Sequence, residues 1–123
     1  MIQIREGNEK EAFLAYIEQA IKSLSHEDYD AFLSVFDTSR LSKDDLILAL
    51  RYLDETRSVI KIDDPIIRNK EQDIYMEAFN DGSGYFMDYD LMTNGEWNDL
   101  TLQVEFIKEK DHFIVKLMDL RTL

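Results

Sequence analysis

The spacing of the apolar residues changes once along this chain, near Arg57. Before Arg57 they recur every three to four positions, as on one face of a helix, and after it they alternate, as in half-buried strands. Helices followed by an antiparallel sheet define an α+β domain in which the helices cover one face of the sheet. We therefore predict a single domain over residues 1–123, mainly helical over 1–57 and mainly antiparallel sheet, with four to five strands, over 58–123.

Three helices are predicted in the first part of the chain. Asn8 followed three residues later by Glu11 is a capping-box pattern, so the first helix should begin near Glu9. The segments 25–28 and 42–45 repeat this start signal, and each is followed by a further apolar face. The pattern thus predicts a long first helix and two shorter ones.

Turn signals divide the second part into a short strand and a meander. The run 59–62 is β-rich and ends at Asp63-Asp64-Pro65, beyond which residues 66–67 could continue it as an edge strand. Asn94-Gly95 lies between two alternating runs and is a strong signal for a tight hairpin. The four strands of the meander are predicted at 73–79, 85–92, 99–107 and 112–119.

Alternation assigns each strand residue to one face of the sheet. The residues predicted to lie against the helices are Ile74, Met76, Ala78, Tyr85, Met87, Tyr89, Leu91, Leu100, Leu102, Val104, Phe106, Phe113, Val115 and Leu117. The outer face mixes carboxylates with apolar residues, namely Tyr75, Phe79, Phe86, Ile114 and Met118. Such a mixture is typical of a recognition surface, although scattered exposed apolar residues are also ordinary on proteins.

The charge of the chain is strongly negative and is concentrated in the predicted sheet. The formal net charge is −12, and residues 71–107 contain no Lys, Arg or His. That segment carries nine carboxylates: Glu71, Asp73, Glu77, Asp81, Asp88, Asp90, Glu96, Asp99 and Glu105. A rigid surface of one sign attracts basic partners and repels nucleic acid. We therefore expect a basic protein as the partner and no nucleic acid.

The sequence offers little chemistry for metals, cofactors or catalysis. The chain has no cysteine, and its two histidines are far apart, so no thiolate or histidine cluster is available. The segment 90–95 resembles the start of a calcium loop. However, Met92 stands where the loop needs its third ligand, and Thr101 stands where it needs the terminal bidentate Glu. Phosphate-binding loops and nucleophile motifs are absent. We predict no metal, no cofactor and no catalytic residue. No window approaches ~18 apolar residues, so we also expect a cytoplasmic protein with no membrane contact.

The order of the elements resembles the cystatin-like α+β folds, particularly the nuclear-transport-factor-2-like superfamily, which includes ketosteroid isomerase. The resemblance implies that the helices pack into the concave side of a bent antiparallel sheet. The hairpin from Tyr89-Asp90-Leu91 through Asn94-Gly95-Glu96-Trp97 to residues 98–102 is similar to that of small acidic bacterial domains of unknown function, some of them immunity proteins for polymorphic toxins. The acid and base of ketosteroid isomerase have no residue-by-residue match here, so no catalytic residue is carried over.

Two functions follow from these patterns. The first is a non-enzymatic protein-binding module of immunity or adaptor type, which could also form a homodimer through its outer sheet face. Its partner-binding residues would be Asp88, Asp90, Glu96, Trp97, Asp99, Tyr75 and Phe86. The second is a small-ligand-binding or isomerase-like protein with a pocket in the concave interior, where a carboxyl with a raised pKa could act as a base. A buried Asp or Glu between sheet and helices would favour the second.

Overall fold

The computed structural model describes residues 1–3, 7–65 and 74–122 of the chain. Its helices are α1 (Glu9–Ser25), α2 (Tyr29–Ser34) and α3 (Lys43–Ala49). Its strands are β1 (Ile2–Gln3), β2 (Thr38–Ser39), β3 (Tyr75–Ala78), β4 (Gly84–Thr93), β5 (Glu96–Glu109) and β6 (His112–Thr122). The α+β class and the antiparallel meander predicted from the change of period are confirmed. None of the described helices is long and apolar enough to cross a membrane.

The three helices begin where the sequence predicts, but their caps differ. At α3 the capping box is complete, because Ser42 Oγ accepts from the Asp45 N–H and Asp45 Oδ2 accepts from the Ser42 N–H, each at 3.1 Å. At α2 the Asp28 carboxylate accepts from the Ala31 N–H at 3.1 Å. The capping box predicted at Asn8 is wrong. Asn8 has φ −124° and ψ 18° instead of the extended backbone of a cap, and its side chain makes no capping hydrogen bond.

The sheet has the strand order β1-β6-β5-β4-β3, and β2 pairs with β6 in parallel. The two shortest strands come from the helical part of the chain, and the sequence did not predict them. The predicted strand at 59–62 is wrong, because this segment is irregular. Its backbone contacts go to other elements: Ile60 donates to the Leu50 carbonyl and Asp63 to the Met92 carbonyl, while Ile62 is buried. Residues 66–67, the predicted edge, lie outside the described residues.

Helix α1 covers the inner face of the sheet through an aromatic cluster. The Phe13 ring stacks on Phe106 with centroids 4.0 Å apart and meets the edge of Phe113 at 4.9 Å. The inner residues predicted on β5 and β6 are all buried, which confirms the assignment of faces for these strands. Ala78 is an exception. It is exposed because it ends the short edge strand β3.

Candidate protein-recognition surface

The hairpin between β4 and β5 has the tight turn that its sequence predicts. Asn94 and Gly95 both have positive φ, 53° and 77°, as a two-residue turn of this type requires. The turn is fixed from outside the hairpin by Asp63, whose two carboxylate oxygens accept from the Asn94 N–H at 2.9 Å and the Gly95 N–H at 2.7 Å. Thr93 also donates its hydroxyl to the Lys61 carbonyl. The irregular segment before β3 therefore holds the tip of the hairpin in place.

A bulge in β5 lies beside the tryptophan, which stays on the outer face of the sheet. Asp90 pairs with Thr101, but Met92 pairs with Trp97, so β5 contains two more residues than β4 in this interval. Asp99 in the bulge has φ 68°. Because an even number of extra residues preserves the alternation, Trp97 and Asp99 stay on the same face as Thr101.

The buried side chain of Asn98 supports this bulge. Its Oδ1 accepts from the Leu100 N–H at 2.9 Å and its Nδ2 donates to Thr93 Oγ1 at 3.0 Å. Tyr52, which follows α3, donates its hydroxyl to the Asn98 carbonyl. The polar groups of the bulge thus have partners, so its shape is defined by the fold.

The bulge creates a shallow cavity at the end of the hairpin. Asp90, Trp97, Asp99 and Thr101 line it, and its volume is about 450 Å³; we call it the hairpin depression. Trp97 is 42% exposed, which shows that it does not fill the end of the core. Thr101 is buried and donates its hydroxyl to Asp90 at 2.7 Å, which orients that carboxylate.

A row of aromatic rings lies further along the outer face. The Phe86 ring is 5.6 Å from the Tyr75 ring and 5.8 Å from the Phe79 ring, measured between centroids. Tyr75 is 54% exposed, and its hydroxyl donates to Glu77; this hydrogen bond to a carboxylate raises the pKa of Tyr75. Next to Phe86 on β4, Asp88 accepts from Gln103 Nε2 at 3.3 Å.

A second bulge, in β6, turns one carboxylate and one cation toward this face. Gln103 pairs with Asp119 but Val104 pairs with Leu117, so Met118 is an extra residue. Beyond it the alternation is reversed: Leu120 is buried, while Asp119 and Arg121 face outward. A groove of about 620 Å³, which we call the outer groove, is lined among others by Arg40, Phe79, Phe86, Asp88, Met118 and Arg121.

The outer face collects most of the predicted partner-binding residues. Asp90, Trp97 and Asp99 meet at the hairpin depression, Asp88 and Phe86 line the outer groove, and the Tyr75 ring lies beside that of Phe86 at a tilted angle. Glu96 is exposed at the start of β5 and lines neither cavity.

Two cationic residues of the outer groove were missed. Arg121 reaches this face only because of the β6 bulge, and Arg40 only because β2 pairs with β6. No local sequence pattern indicates either event.

The interior shows no comparable site in the described part of the chain. Among these residues the only buried polar or charged ones are Asn98 and Thr101. The half-buried Glu18 accepts from the hydroxyl of the buried Tyr89 at 3.1 Å. A cavity beside Ile21 and Tyr89 has a volume of about 10 Å³, the size of one water molecule. Nor do the described residues include a group of three or more His, Cys, Asp or Glu that could hold a metal ion.

Fold and surface together define a small α+β domain that carries a mixed apolar and acidic sheet face. A family model with the description "Domain of unknown function (DUF7668)" matches residues 21–123, and the chain belongs to this family. The match includes every residue that lines the hairpin depression and the outer groove. No curated protein and no solved structure matches the chain significantly.

Proposed function

We propose that this domain is a non-enzymatic protein-binding module that receives a basic protein at the hairpin depression. The observation that carries the proposal is the exposed Trp97 beside Asp90 and Asp99 on a hairpin held by hydrogen bonds. Rigid strands present these side chains with little entropy left to lose on binding, which favours tight association.

The chemistry of the depression suits an arginine or lysine side chain of a partner. A cation can lie against the face of a tryptophan while carboxylates nearby balance its charge. Tryptophan is frequent among the residues that dominate binding energy. The many carboxylates of the surrounding sheet would accelerate the encounter with a basic protein.

An immunity-type or adaptor protein acting in the cytoplasm is the biological class we propose. The small size, the acidic surface and the similarity of the hairpin to those of small acidic bacterial domains support this class. The relation to the nuclear-transport-factor-2-like superfamily belongs to the same proposal. It is supported by the three helices that precede the antiparallel sheet and by α1 on its inner face.

The alternative is a small-ligand-binding or isomerase-like protein with an interior pocket. The hydrogen bond between Glu18 and Tyr89 is the one observation that favours it. In the described residues, however, the stacked rings of Phe13 and Phe106 fill the space between helix and sheet, and the cavity beside Tyr89 is too small for a ligand. The described interior therefore supports the binding module more than the pocket protein.

The test starts from the neighbouring genes, because immunity genes lie beside the genes of their toxins. The protein is produced together with the product of the adjacent gene, and binding is measured by calorimetry. We expect Trp97→Ala to lower the affinity about 30-fold, which corresponds to ~2 kcal/mol. Asp90→Asn with Asp99→Asn should slow association and reduce its dependence on salt.

A matched control removes two carboxylates elsewhere. Glu55 and Glu109 are exposed and lie outside both cavities. Glu55→Gln with Glu109→Gln changes the net charge by the same amount and should leave the affinity within about twofold. Unchanged affinity in the Trp97→Ala, Asp90→Asn, Asp99→Asn triple variant, with its melting temperature preserved, would place the partner on another surface.

A further inference from the structure

The charges that surround the outer groove are segregated by strand. Carboxylates lie on the side of β3 and β4, as Glu77, Asp88 and Asp90; we call this the acidic side. Cations lie on the side of β6 and its neighbour β2, as Arg40, Lys116 and Arg121; we call this the basic side. Two more carboxylates interrupt the pattern, Glu105 on β5 and Asp119 on β6. Even so, among the described residues the acidic side carries only negative charge and the basic side a surplus of positive charge.

The cations of the basic side have no partner within the described residues. In the ranges 1–3, 7–65 and 74–122, Arg40, Lys116 and Arg121 form no ion pair and no side-chain hydrogen bond. Lys116 lies opposite Glu105 in the strand register, yet their charged groups do not meet. The three groups are therefore available to an external carboxylate.

Apolar area lies between the two charged sides. Phe79, Phe86 and Met118 line the outer groove and are half-buried, and Tyr75 beside Phe86 is 54% exposed. Helix α1 packs on the opposite face of the sheet, through Phe13. An apolar strip between an acidic and a basic side is complementary to itself after a half-turn, which is the requirement for a symmetric dimer.

We propose that the outer groove is the interface of a homodimer whose two-fold axis lies between the facing sheets, roughly parallel to the strands. This rotation keeps each residue at its level along the strands and exchanges the two sides of the sheet. In the strand register, Arg121 on β6, Thr101 on β5 and Asp90 on β4 lie side by side at one level. At a second level, Lys116 on β6 lies in one row with Glu105, Phe86 and Glu77. Arg121 of one copy therefore faces the level of Asp90 in the other, and Lys116 faces the level of Glu77.

The energetic roles differ between the groups. Burial of the aromatic strip supplies the attraction, whereas the charge pairs select the relative orientation of the copies. The net charge of −12 per chain opposes association. Charges more than about 8 Å apart are largely screened at physiological salt, so the groups at the interface count most. The two pairs of opposite charge favour the dimer, whereas Asp119, which the register places at the level of Asp88, opposes it. This dimer is independent of the proposed function, except that a basic protein would compete with the second copy for Asp90.

A charge-exchange experiment tests the orientation as well as the association. Sedimentation and light scattering should give wild-type protein twice the chain mass of 14.5 kDa at high concentration. Lys116→Glu with Arg121→Glu reverses two of the three cations of the basic side and leaves Arg40, and Glu77→Lys with Asp90→Lys reverses two of the three carboxylates of the acidic side and leaves Asp88. We expect each double variant alone to dissociate at least tenfold more readily, and an equimolar mixture to recover the dimer mass as a heterodimer.

The control reverses two lysines on the exposed side of α1. Lys10→Glu with Lys22→Glu changes the net charge as much as the first variant and should leave the dimer intact. If a reversed variant does not fold, Lys116→Gln with Arg121→Gln replaces it and should still weaken the dimer. A wild-type monomer at all concentrations overturns the proposal. A dimer that survives both charge reversals also overturns it and would point to pairing at the β3 edge. An equimolar mixture of the two reversed variants that stays monomeric overturns it as well. Trp97→Ala should leave the dimer intact, so its effects on partner binding are separable.

Discussion

The Asp63 carboxylate should control the rigidity of the hairpin that carries Trp97. Asp63 lies outside the hairpin and accepts a hydrogen bond from each amide of the turn. Its carboxylate oxygens are 2.9 Å from the Asn94 nitrogen and 2.7 Å from the Gly95 nitrogen. Asp63→Ala removes both acceptors, and Asp63→Asn removes the charge but keeps one amide oxygen that can accept. Because the turn is exposed, water can replace the lost carboxylate, so the hairpin should loosen without unfolding of the domain.

The size of the effect follows from the type of hydrogen bond. A hydrogen bond to a charged group contributes ~1.5–3 kcal/mol when it is shielded from solvent. Both bonds of Asp63 lie in water, so about 1 kcal/mol each is the appropriate value. We expect Asp63→Ala to lower the free energy of unfolding by about 2 kcal/mol and Asp63→Asn by about half of that.

Urea unfolding and amide hydrogen exchange together test this reasoning. The fluorescence of Trp97, the one tryptophan of the chain, reports on the hairpin during unfolding. In Asp63→Ala the exchange of the Asn94 and Gly95 amides should accelerate more than that of amides elsewhere in β4 and β5.

The control for this prediction is Asp81→Ala. Asp81 accepts from the Ser83 N–H at 2.9 Å in the preceding turn, so its loss should leave Asn94 and Gly95 unaffected. Unchanged exchange at Asn94 and Gly95 in Asp63→Ala would refute the reasoning, and so would equal acceleration in both variants.

Two further predictions concern the sheet and α3. A Cβ at Gly84 would lie 1.9 Å from the Phe106 carbonyl oxygen, so Gly84→Ala should cost about 3 kcal/mol of unfolding free energy. Gly82→Ala has open space and only its positive φ against it, so it should cost about 1 kcal/mol; equal costs in urea unfolding would contradict this. Hydrogen bonds from Ser42 lower the pKa of Asp45. The ionised Asp45 carboxylate therefore stabilises the fold at pH values above its unfolded-state pKa of ~3.9. This stabilisation is lost as the pH falls through the lower pKa that Asp45 has in the folded state. Asp45→Asn should flatten the acid limb of melting temperature against pH, whereas Asp44→Asn, which keeps the capping box, should not.

The sequence by itself determined the features that arise from neighbouring residues. The start signals at 25–28 and 42–45 predict α2 and α3, because a cap involves residues within one turn of helix. Asn94-Gly95 predicts the hairpin turn, because few residues adopt positive φ twice in succession. Alternation predicts the buried residues of β5 and β6, since one face of a half-buried sheet must be apolar.

Only the tertiary structure decided where the regular patterns are interrupted and which distant segments meet. The run 59–62 has β-rich composition but joins no strand ladder: Ile60 donates to the Leu50 carbonyl at the end of α3, and Asp63, which follows the run, donates to the Met92 carbonyl near the end of β4. The bulges at Asp99 and Met118 depend on how each strand matches its neighbour, which no single segment specifies. The β5 bulge changes the spacing between Trp97 and Thr101 along the outer face, the β6 bulge turns Arg121 toward that face, and the pairing of β2 with β6 adds Arg40. The acidity of the sheet could therefore be predicted from composition. The presence of a basic side on the same face, across from the acidic side, depends on contacts between residues far apart in the chain.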